Sequence, residues 1–328
     1  MIMISLGIES TAHTFGIGIV KAEDNIEVLA NIKDVYTPEK GGIHPIEAKE
    51  HHEKVKEKVL DDALQKAVIE LADVDLFAYS AGPGLPPCLR VGLEFAKKLA
   101  EGRKLVETNH CIAHIEIGRL MTKCNDPVTL YVSGGNTQVI GFASGRYRVF
   151  GETQDIAIGN AIDTFIREAT GKNLGGKYFD EMAKKGKYIE LPYVVKGMDL
   201  SFSGIVTAAL QKYRKGEKLE DLCYSMQETC YAMLTEVTER ALAHTGKQEL
   251  LLTGGVAASQ RLQDMLGIMC KERGAKLYVC PREFAGDCGA NIAWTGMLAY
   301  KNGQKTVPIS RADFYQRWRT DEVEVVWL

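Results

Sequence analysis

The chain has no C-x-x-C pair. Its eight cysteines, Cys88, Cys111, Cys124, Cys223, Cys230, Cys270, Cys280 and Cys288, are scattered. Without targeting they read as reduced thiols and exclude a disulfide framework. No run of apolar residues reaches the length of a membrane span, so no partner bilayer is expected. The opening MIMISLGIES lacks the basic start and apolar run of a signal peptide, so the expected location is the cytoplasm. Net charge is only −3, which argues against a strong, self-sufficient nucleic-acid binder. A local patch is still open to it. MAKKGKY (Met182 to Tyr188) and QKYRKGEK (Gln211 to Lys218) are the best candidates, although solvated helix ends look the same. The P-loop pattern G-x-x-x-x-G-K-[ST] is also missing.

What is present is an α/β pattern that starts twice. IMISLGIESTAHTFGIGIV reads as strand, small polar turn, strand, and VTLYVSGGNTQVIGFAS repeats that plan from Val128. KEHHEKVKEKVLDDALQKAVIELA (Lys49 to Ala72) predicts a long amphipathic helix, and VDLFAYS a buried strand before the forced turn AGPGLPP. KLVETNH leads a short strand to Asn109, a plausible N-cap for the helix that follows. Strand, Gly-Gly turn and helix recur at ELLLTGGVAASQRLQDML; AKLYVCP and GANIAWTGMLAY add a strand and a helix. The length of 328 residues allows two domains, each with a core. The expected border lies around CNDP, giving an N-terminal α/β domain over 1–125 and a C-terminal one, with a helical insertion, over 126–328.

NHCIAHIEIGRL places His110 and His114 four residues apart, on one face of a helix and able to share a metal ion. The zincin pattern H-E-x-x-H needs Glu after the first His, and Cys111 stands there instead. Glu116 points elsewhere on the helix, so the motif supplies no hydrolytic base. Two satisfied helix histidines are the bland alternative; further ligands would come from oxygen donors such as Tyr131 or Asp287. The turn SGGNT offers bare backbone N–H groups and the side chains of Ser133, Asn136 and Thr137 to a phosphate, or is a plain hairpin turn. The turn Glu9 to His13 is placed to face it across a cleft. GGVAAS (Gly254 to Ser259) sets a helix start beside bare backbone, and LGGKYFDEMA shares that reading, with Asp180 a candidate ribose partner. Asp287 in GDCGAN, taken by itself, reads first as an N-cap, and HPIEAKEHH as an exposed helix start.

These stretches, with GPGLPPCLRVG, MDLSFSGI and YQRWRTDEVEV, occur in the order of one family. From Ile4 to Trp327 the chain resembles the universal transferases that make threonylcarbamoyladenosine in tRNA, in their archaeal form as catalytic subunit of the KEOPS complex. The resemblance implies the duplicated actin/Hsp70/sugar-kinase-like (ASKHA) fold, two α/β domains around a nucleotide cleft. It implies one divalent metal, iron or zinc, on His110, His114, Tyr131 and Asp287. The implied contacts to ATP or threonylcarbamoyl-adenylate are Tyr131, Val132, Ser133, Gly134, Gly135, Asn136, Asp163, Gly176, Asp180, Gly254, Gly255 and Ser259. The implied enzyme passes the threonylcarbamoyl group to the adenosine after the anticodon of ANN-decoding tRNAs and releases AMP. Its implied partners are tRNA, a small atypical protein kinase and a small dimerising subunit.

The chain departs from the family pattern at four positions. Ser259 and Cys288 stand where Asn is usual, Pro86 for Gly and Leu174 for Pro. The first loosens a nucleotide contact, the second puts a soft thiol beside the metal, and the last two read as structural. Two rival activities are open: an ATP-dependent phosphotransferase of the same superfamily, with Glu9 where many relatives carry Asp, and a metallopeptidase, disfavoured by Cys111.

Overall fold

The computed structural model describes residues 2–38 and 41–328; Met1, Glu39 and Lys40 lie outside it. Strand β1 (Met3–Glu9) shows how the layers are built. Leu6 and Ile8 point into one apolar layer, while Ser5 and Gly7 meet helix α10 (Gly289–Lys301) on the other face. This is the period-two alternation of a strand covered on both sides. β1 pairs antiparallel with β2 (Thr14–Ala22), and β2 with β3 (Ile26–Val35). On its other edge β1 pairs parallel with β4 (Leu76–Gly82), and β4 with β5 (Lys104–Asn109). Parallel neighbours need crossovers, supplied by α1 (Pro45–Ala67) and α2 (Pro86–Leu99).

The second sheet repeats this order. Its strands are β6 (Val128–Val132), β7 (Thr137–Ala143), β8 (Arg146–Glu152), β11 (Glu249–Thr253) and β12 (Lys276–Val279). They run β8-β7-β6-β11-β12, as the first sheet runs β3-β2-β1-β4-β5. Each junction also has the same sense, two antiparallel and then two parallel. Between them lie a short ribbon of β9 (Val195–Lys196) and β10 (Asp199–Leu200) and five helices. These are α4 (Ile158–Thr170), α5 (Gly175–Ala183), α6 (Ser203–Arg214), α7 (Leu219–Thr245) and α8 (Gln260–Arg273). Val128, Leu130, Leu250 and Leu252 bury one face of the second sheet against α4, α7 and α8. Each such side chain contributes about 1.5–3 kcal/mol when fully buried.

Two helices fill the space between the sheets. α3 (His110–Thr122) lays Cys111, Ile112 and Ile115 on Tyr131, Ile140 and Leu251 of the second sheet. α10, reached through the single turn α9 (Arg282–Ala285), seats Ala290, Ala293 and Met297 against Val20, Leu76 and Val106 of the first. The indole of Trp294 ties the two helices together by donating to the Glu116 carbonyl at 3.1 Å. The site therefore lies where the ends of these inner helices meet.

Three sequence expectations change. The long helix starts earlier and ends at Val68, whose left-handed cap (φ 55°) turns the chain out before Ala72. β3 was not anticipated because, as an edge strand, it exposes Glu27 and Lys33 among its apolar residues. The histidines of HPIEAKEHH are not all exposed. His52 is fully buried against the edge of the Phe15 ring, at 5.5 Å between centroids, and neither ring nitrogen has a hydrogen-bond partner among the described residues.

Burial, with the neighbouring charges of His51 and His13, lowers the His52 pKa to about 4 from its ordinary 6.5. The unfolded chain binds this proton more readily than the folded one. Stability from a neutral His52 is thus fully present above pH 6.5 and is lost as pH falls toward 4. The full span corresponds to about 3 kcal/mol. Urea unfolding of the wild type and His52→Gln across this window should show a steeper acid loss in the wild type. Parallel pH profiles would show that His52 does not carry it.

Candidate functional site

Asn109 caps α3 as expected, its Oδ1 accepting from the backbone N–H groups of Cys111 at 3.0 Å and Ile112 at 3.2 Å. This cap fixes the first turn, and with it the rings of His110 and His114, which stand 4.7 Å apart at 82°. Tyr131 at the end of β6 stacks on His114, at 4.7 Å and 28°. Asp287 comes from the turn before α10. It is not the cap of that helix, since Cys288 occupies the N-cap position. Its carboxylate instead faces both histidines, Oδ1 lying 3.2 Å from His114 Nε2 and 3.5 Å from His110 Nε2. The Tyr131 hydroxyl is 3.3 Å from His110 Nε2.

These spacings test the donor set against a metal. Four ligands at bond lengths of about 2.1 Å around a tetrahedral ion stand about 3.4 Å apart. The observed separations of 3.2, 3.3 and 3.5 Å match that spacing. The nitrogen and oxygen donors, with no thiolate, suit zinc or iron. Behind the ring, His110 Nδ1 meets Glu9 Oε2 at 2.9 Å, the carboxylate–histidine arrangement that orients a metal ligand. Glu9 is itself held by Thr11, through its N–H at 2.7 Å and its hydroxyl at 2.6 Å. The turn after β1 therefore reaches the same histidine that Tyr131 touches from the second sheet.

The electrostatics also call for a cation here. Burial opposes charge on His110, but Glu9 and Asp287 outweigh it and raise its pKa to about 9. Burial acts on Asp287 in the opposite sense to its neighbours; the His114 hydrogen bond and the His110 charge win and hold the carboxyl well below its usual range. Burial lowers His114 and keeps the Tyr131 phenol protonated far above its ordinary range.

Glu116 is not a catalytic base. It is buried and bound by Arg119 Nη1 at 2.8 Å, the Tyr147 hydroxyl at 2.5 Å and Trp327 Nε1 at 2.7 Å. Cys111 is buried, and burial pushes its thiol up to about 12. The Cys288 thiol, expected beside the metal, points to a neighbour on its own helix. It lies 2.9 Å from Asn291 Oδ1 and outside the group formed by His110, His114 and Asp287. Cys288→Ala should therefore leave the metal content per chain unchanged. Loss of metal on that substitution would place the thiol among the ligands.

The other sequence candidates surround this centre. Ser133 Oγ accepts from the N–H groups of Gly135 at 3.3 Å and Asn136 at 3.0 Å, which closes the SGGNT turn. A Cβ on Gly134 or Gly135 would meet nothing within 4 Å, so this backbone is bare on its outer face. Gly159 lets the start of α4 pack against the turn, since a Cβ there would sit 2.7 Å from the Ser133 carbonyl. Asp163 is exposed one turn further along α4. Gly176 is open in the first turn of α5, and Asp180 accepts from Gln227 Nε2 at 2.7 Å. Gly254 needs its left-handed φ of 97° and its missing side chain, because a Cβ would be 2.1 Å from the Val132 carbonyl. The Val132 side chain itself belongs to the core. Gly255 is open, and Ser259 Oγ is buried without a partner among the described residues. Sequence reasoning missed Glu9 as a partner of His110; its place directly before the first turn was the signal. The first basic stretch lies against the start of α7, Lys187 N–H donating to Asp221 Oδ1 at 2.7 Å.

A duplicated five-stranded sheet, with inner helices meeting at a cleft, defines the actin/Hsp70/sugar-kinase class of protein. Full-length HypF, solved in a phosphate- and nucleotide-bound form, shares the fold at a TM-score of 0.63 and 11% identity, over 91% of this chain and 46% of that one. Within the class, residues 27–294 match the TsaD family, tRNA N6-adenosine threonylcarbamoyltransferase. The transferase of that name from Thermococcus kodakarensis is 56% identical over 99% of this chain and 100% of its own. A probable bifunctional tRNA threonylcarbamoyladenosine biosynthesis protein of Methanocaldococcus jannaschii is 51% identical over 99% of this chain and 61% of its own length. The chain belongs to the tRNA N6-adenosine threonylcarbamoyltransferase family, and its activity is threonylcarbamoyl transfer to tRNA.

Proposed function

We propose that the donor is threonylcarbamoyl-adenylate, that the acceptor is the exocyclic amine of the adenosine just after the anticodon, and that AMP leaves. The observation that carries this reading is the 3.2–3.5 Å spacing of His110, His114, Asp287 and Tyr131 beside an open, glycine-rich turn. His110, His114 and Asp287, with the Tyr131 hydroxyl, hold one divalent metal, zinc or iron. When bound, that ion supplies charge stabilisation at the leaving phosphate. The N–H of Gly134, which has no partner among the described residues, offers a further donor to phosphate oxygens. Ser133, Asn136, Asp163, Gly176, Asp180, Gly254, Gly255 and Ser259 position the nucleotide. The nucleotide-bound form of the HypF relative supports an adenylate in this cleft.

The donor is a mixed anhydride and already activated. The amine nitrogen bonds to the carbamoyl carbon, the carbon–oxygen bond to the phosphate breaks, and the amine releases one proton. Orientation and charge stabilisation suffice for such a step. Glu9 is engaged by His110 and Thr11, so it is not free to activate an alcohol. That removes the support for a phosphotransferase.

The two lobes are proposed to divide at residue 125, with α10 returning from the second to seat on the first. A cytoplasmic enzyme is proposed because its substrate is tRNA; among the described residues no helix is long and apolar enough to cross a membrane. An atypical kinase and a dimerising subunit of the KEOPS type are proposed partners; the bifunctional relative, of which this chain spans 61%, supports a working association with a second protein. The test is reconstitution with a synthase, threonine, bicarbonate, ATP and unmodified tRNA, with and without those partners. Threonylcarbamoyladenosine in the digested RNA is expected. Its absence in every combination would overturn the reading.

A further inference from the structure

Beside the metal-ligand cluster lies a cavity of about 210 Å³ that shares Asn136 with the proposed donor site. Its walls include Cys111, Gln138, Val149 and Pro83, closed by the tail from Gln316 to Thr320. Whole-ligand pockets start at about 300 Å³, so this one suits a single flat ring system and not an intact nucleotide. Cys111 follows His110 directly, and Gln138 stands opposite Tyr131 in the β6–β7 pair. Anything seated here is one side chain away from the proposed ligands.

The tail is fixed in place. Tyr315 N–H donates to the Ala81 carbonyl at 2.7 Å, Gly84 N–H to the Gln316 carbonyl at 3.2 Å, and Asn109 Nδ2 to the Trp318 carbonyl at 3.2 Å. Gly82 is required there, because a Cβ would meet the Tyr315 carbonyl at 2.1 Å. Trp318 is half-buried, with the Tyr315 ring 5.3 Å away. Arg319 is engaged by Asp321 at 3.0 Å. Arg317 is exposed and has no hydrogen bond or ion pair among the described residues. Gln138 carries the other unmet demand. Its Nε2 donates to Glu152 at 3.1 Å, while its Oε1 is buried with no donor among the described residues. A buried acceptor without a donor is costly, and a ligand N–H would relieve it.

We propose that this cavity receives the acceptor adenine, with Trp318 as its aromatic wall, Gln138 Oε1 accepting from an N–H of the exocyclic amine, and Arg317 on an adjoining phosphate of the RNA loop. This rests on the transfer reaction proposed above. Unpaired RNA bases are recognised by aromatic stacking and by hydrogen bonds to their edges. Gln138 engages one amine hydrogen and leaves the nitrogen free to attack toward the donor site.

The test uses the full chain with its reconstituted partners, an unmodified anticodon stem-loop and intact tRNA. Arg317→Ala should weaken stem-loop binding and reduce the slope of log Kd against log salt by about 0.7, the loss of one single-strand phosphate contact. Trp318→Ala should raise KM for tRNA by about 5- to 100-fold, with Trp318→Phe recovering most of it. Gln138→Leu should lower kcat with tRNA while AMP still binds as it does to the wild type. Should Trp318→Ala fail to fold, Arg317→Ala remains decisive, since that side chain is exposed and unpartnered. Unchanged stem-loop affinity and salt slope in Arg317→Ala, in a system that makes product, would overturn the cavity assignment alone. A raised KM for the adenylate with unchanged tRNA binding would overturn it in favour of the donor's threonyl group. A wild type that makes no product removes both readings.

Discussion

Asp287→Ala should abolish transfer and leave the fold standing. The Asp287 carboxylate is where the site converges, with both histidine Nε2 atoms within 3.5 Å of one oxygen. Its loss removes the carboxylate of the three-residue donor group and leaves the two rings without a shared partner. If the ion contributes about 4 kcal/mol at the leaving phosphate, the rate falls by about 10³-fold. The fold has little reason to respond. Asp287 sits in a turn, with α10 starting beyond it at Gly289, and its carbonyl stays bonded to Lys33 Nζ at 3.2 Å. His110→Ala should be equally inactive but less clean, since it strands the buried Glu9 carboxylate with Thr11 as its remaining partner. Metal content, thermal unfolding and product formation measured on one preparation decide the matter. Full transfer by an Asp287→Ala protein that holds no metal would remove the ion from the reaction.

Why this site was readable before the structure, and why some of it was not, follows from the range of each interaction. The pair His110 and His114 is local, fixed by helical spacing and by the Asn109 cap two residues from Cys111. The SGGNT and GGVAAS turns are local as well, with glycines that serve backbone geometry, open at Gly134, Gly135 and Gly255 and tightly packed at Gly254. The duplication was visible because both sheets begin with the same strand, turn, strand unit. Asp287 could be taken for a cap, because its contact to His114 spans 173 positions and leaves no periodic trace. Glu9, 101 residues from His110, was hidden for the same reason. His52 was misread because its helix is charged on most faces, and burial of one imidazole in such a stretch does not alter the pattern. The return of α10 to the first sheet was also out of reach, since its glycines look ordinary until the strands beneath them are known.

That return makes Gly289 the position where fold and site are joined, and Gly289→Ala should damage both. A Cβ at Gly289 would lie 2.1 Å from Gly18 N and 2.4 Å from the Ile17 carbonyl carbon. The opposing glycines are as tight, Gly18 to Ala290 N at 2.0 Å and Gly7 to Ala293 N at 2.1 Å. The helix backbone thus rests directly on the strand backbone. Neither side is a flexible side chain that can swing away, so one methyl must lift the start of α10. Overpacking of this kind costs about 3 kcal/mol, the upper part of the usual range. For a chain of this size that lowers Tm by roughly 4 °C. The same movement displaces Asp287, two residues upstream, from the histidines of α3. Metal sites tolerate only about 0.2 Å in their ligand distances, so metal content should fall with stability. Gly267→Ala in α8 is the control, because its new Cβ would meet only Leu277 Cδ2 at 3.9 Å. It should leave metal unchanged and stability equal or slightly raised. If Gly289→Ala melts with the wild type and keeps its metal, α10 does not seat Asp287 through this contact, and the centre must be positioned from α3 alone.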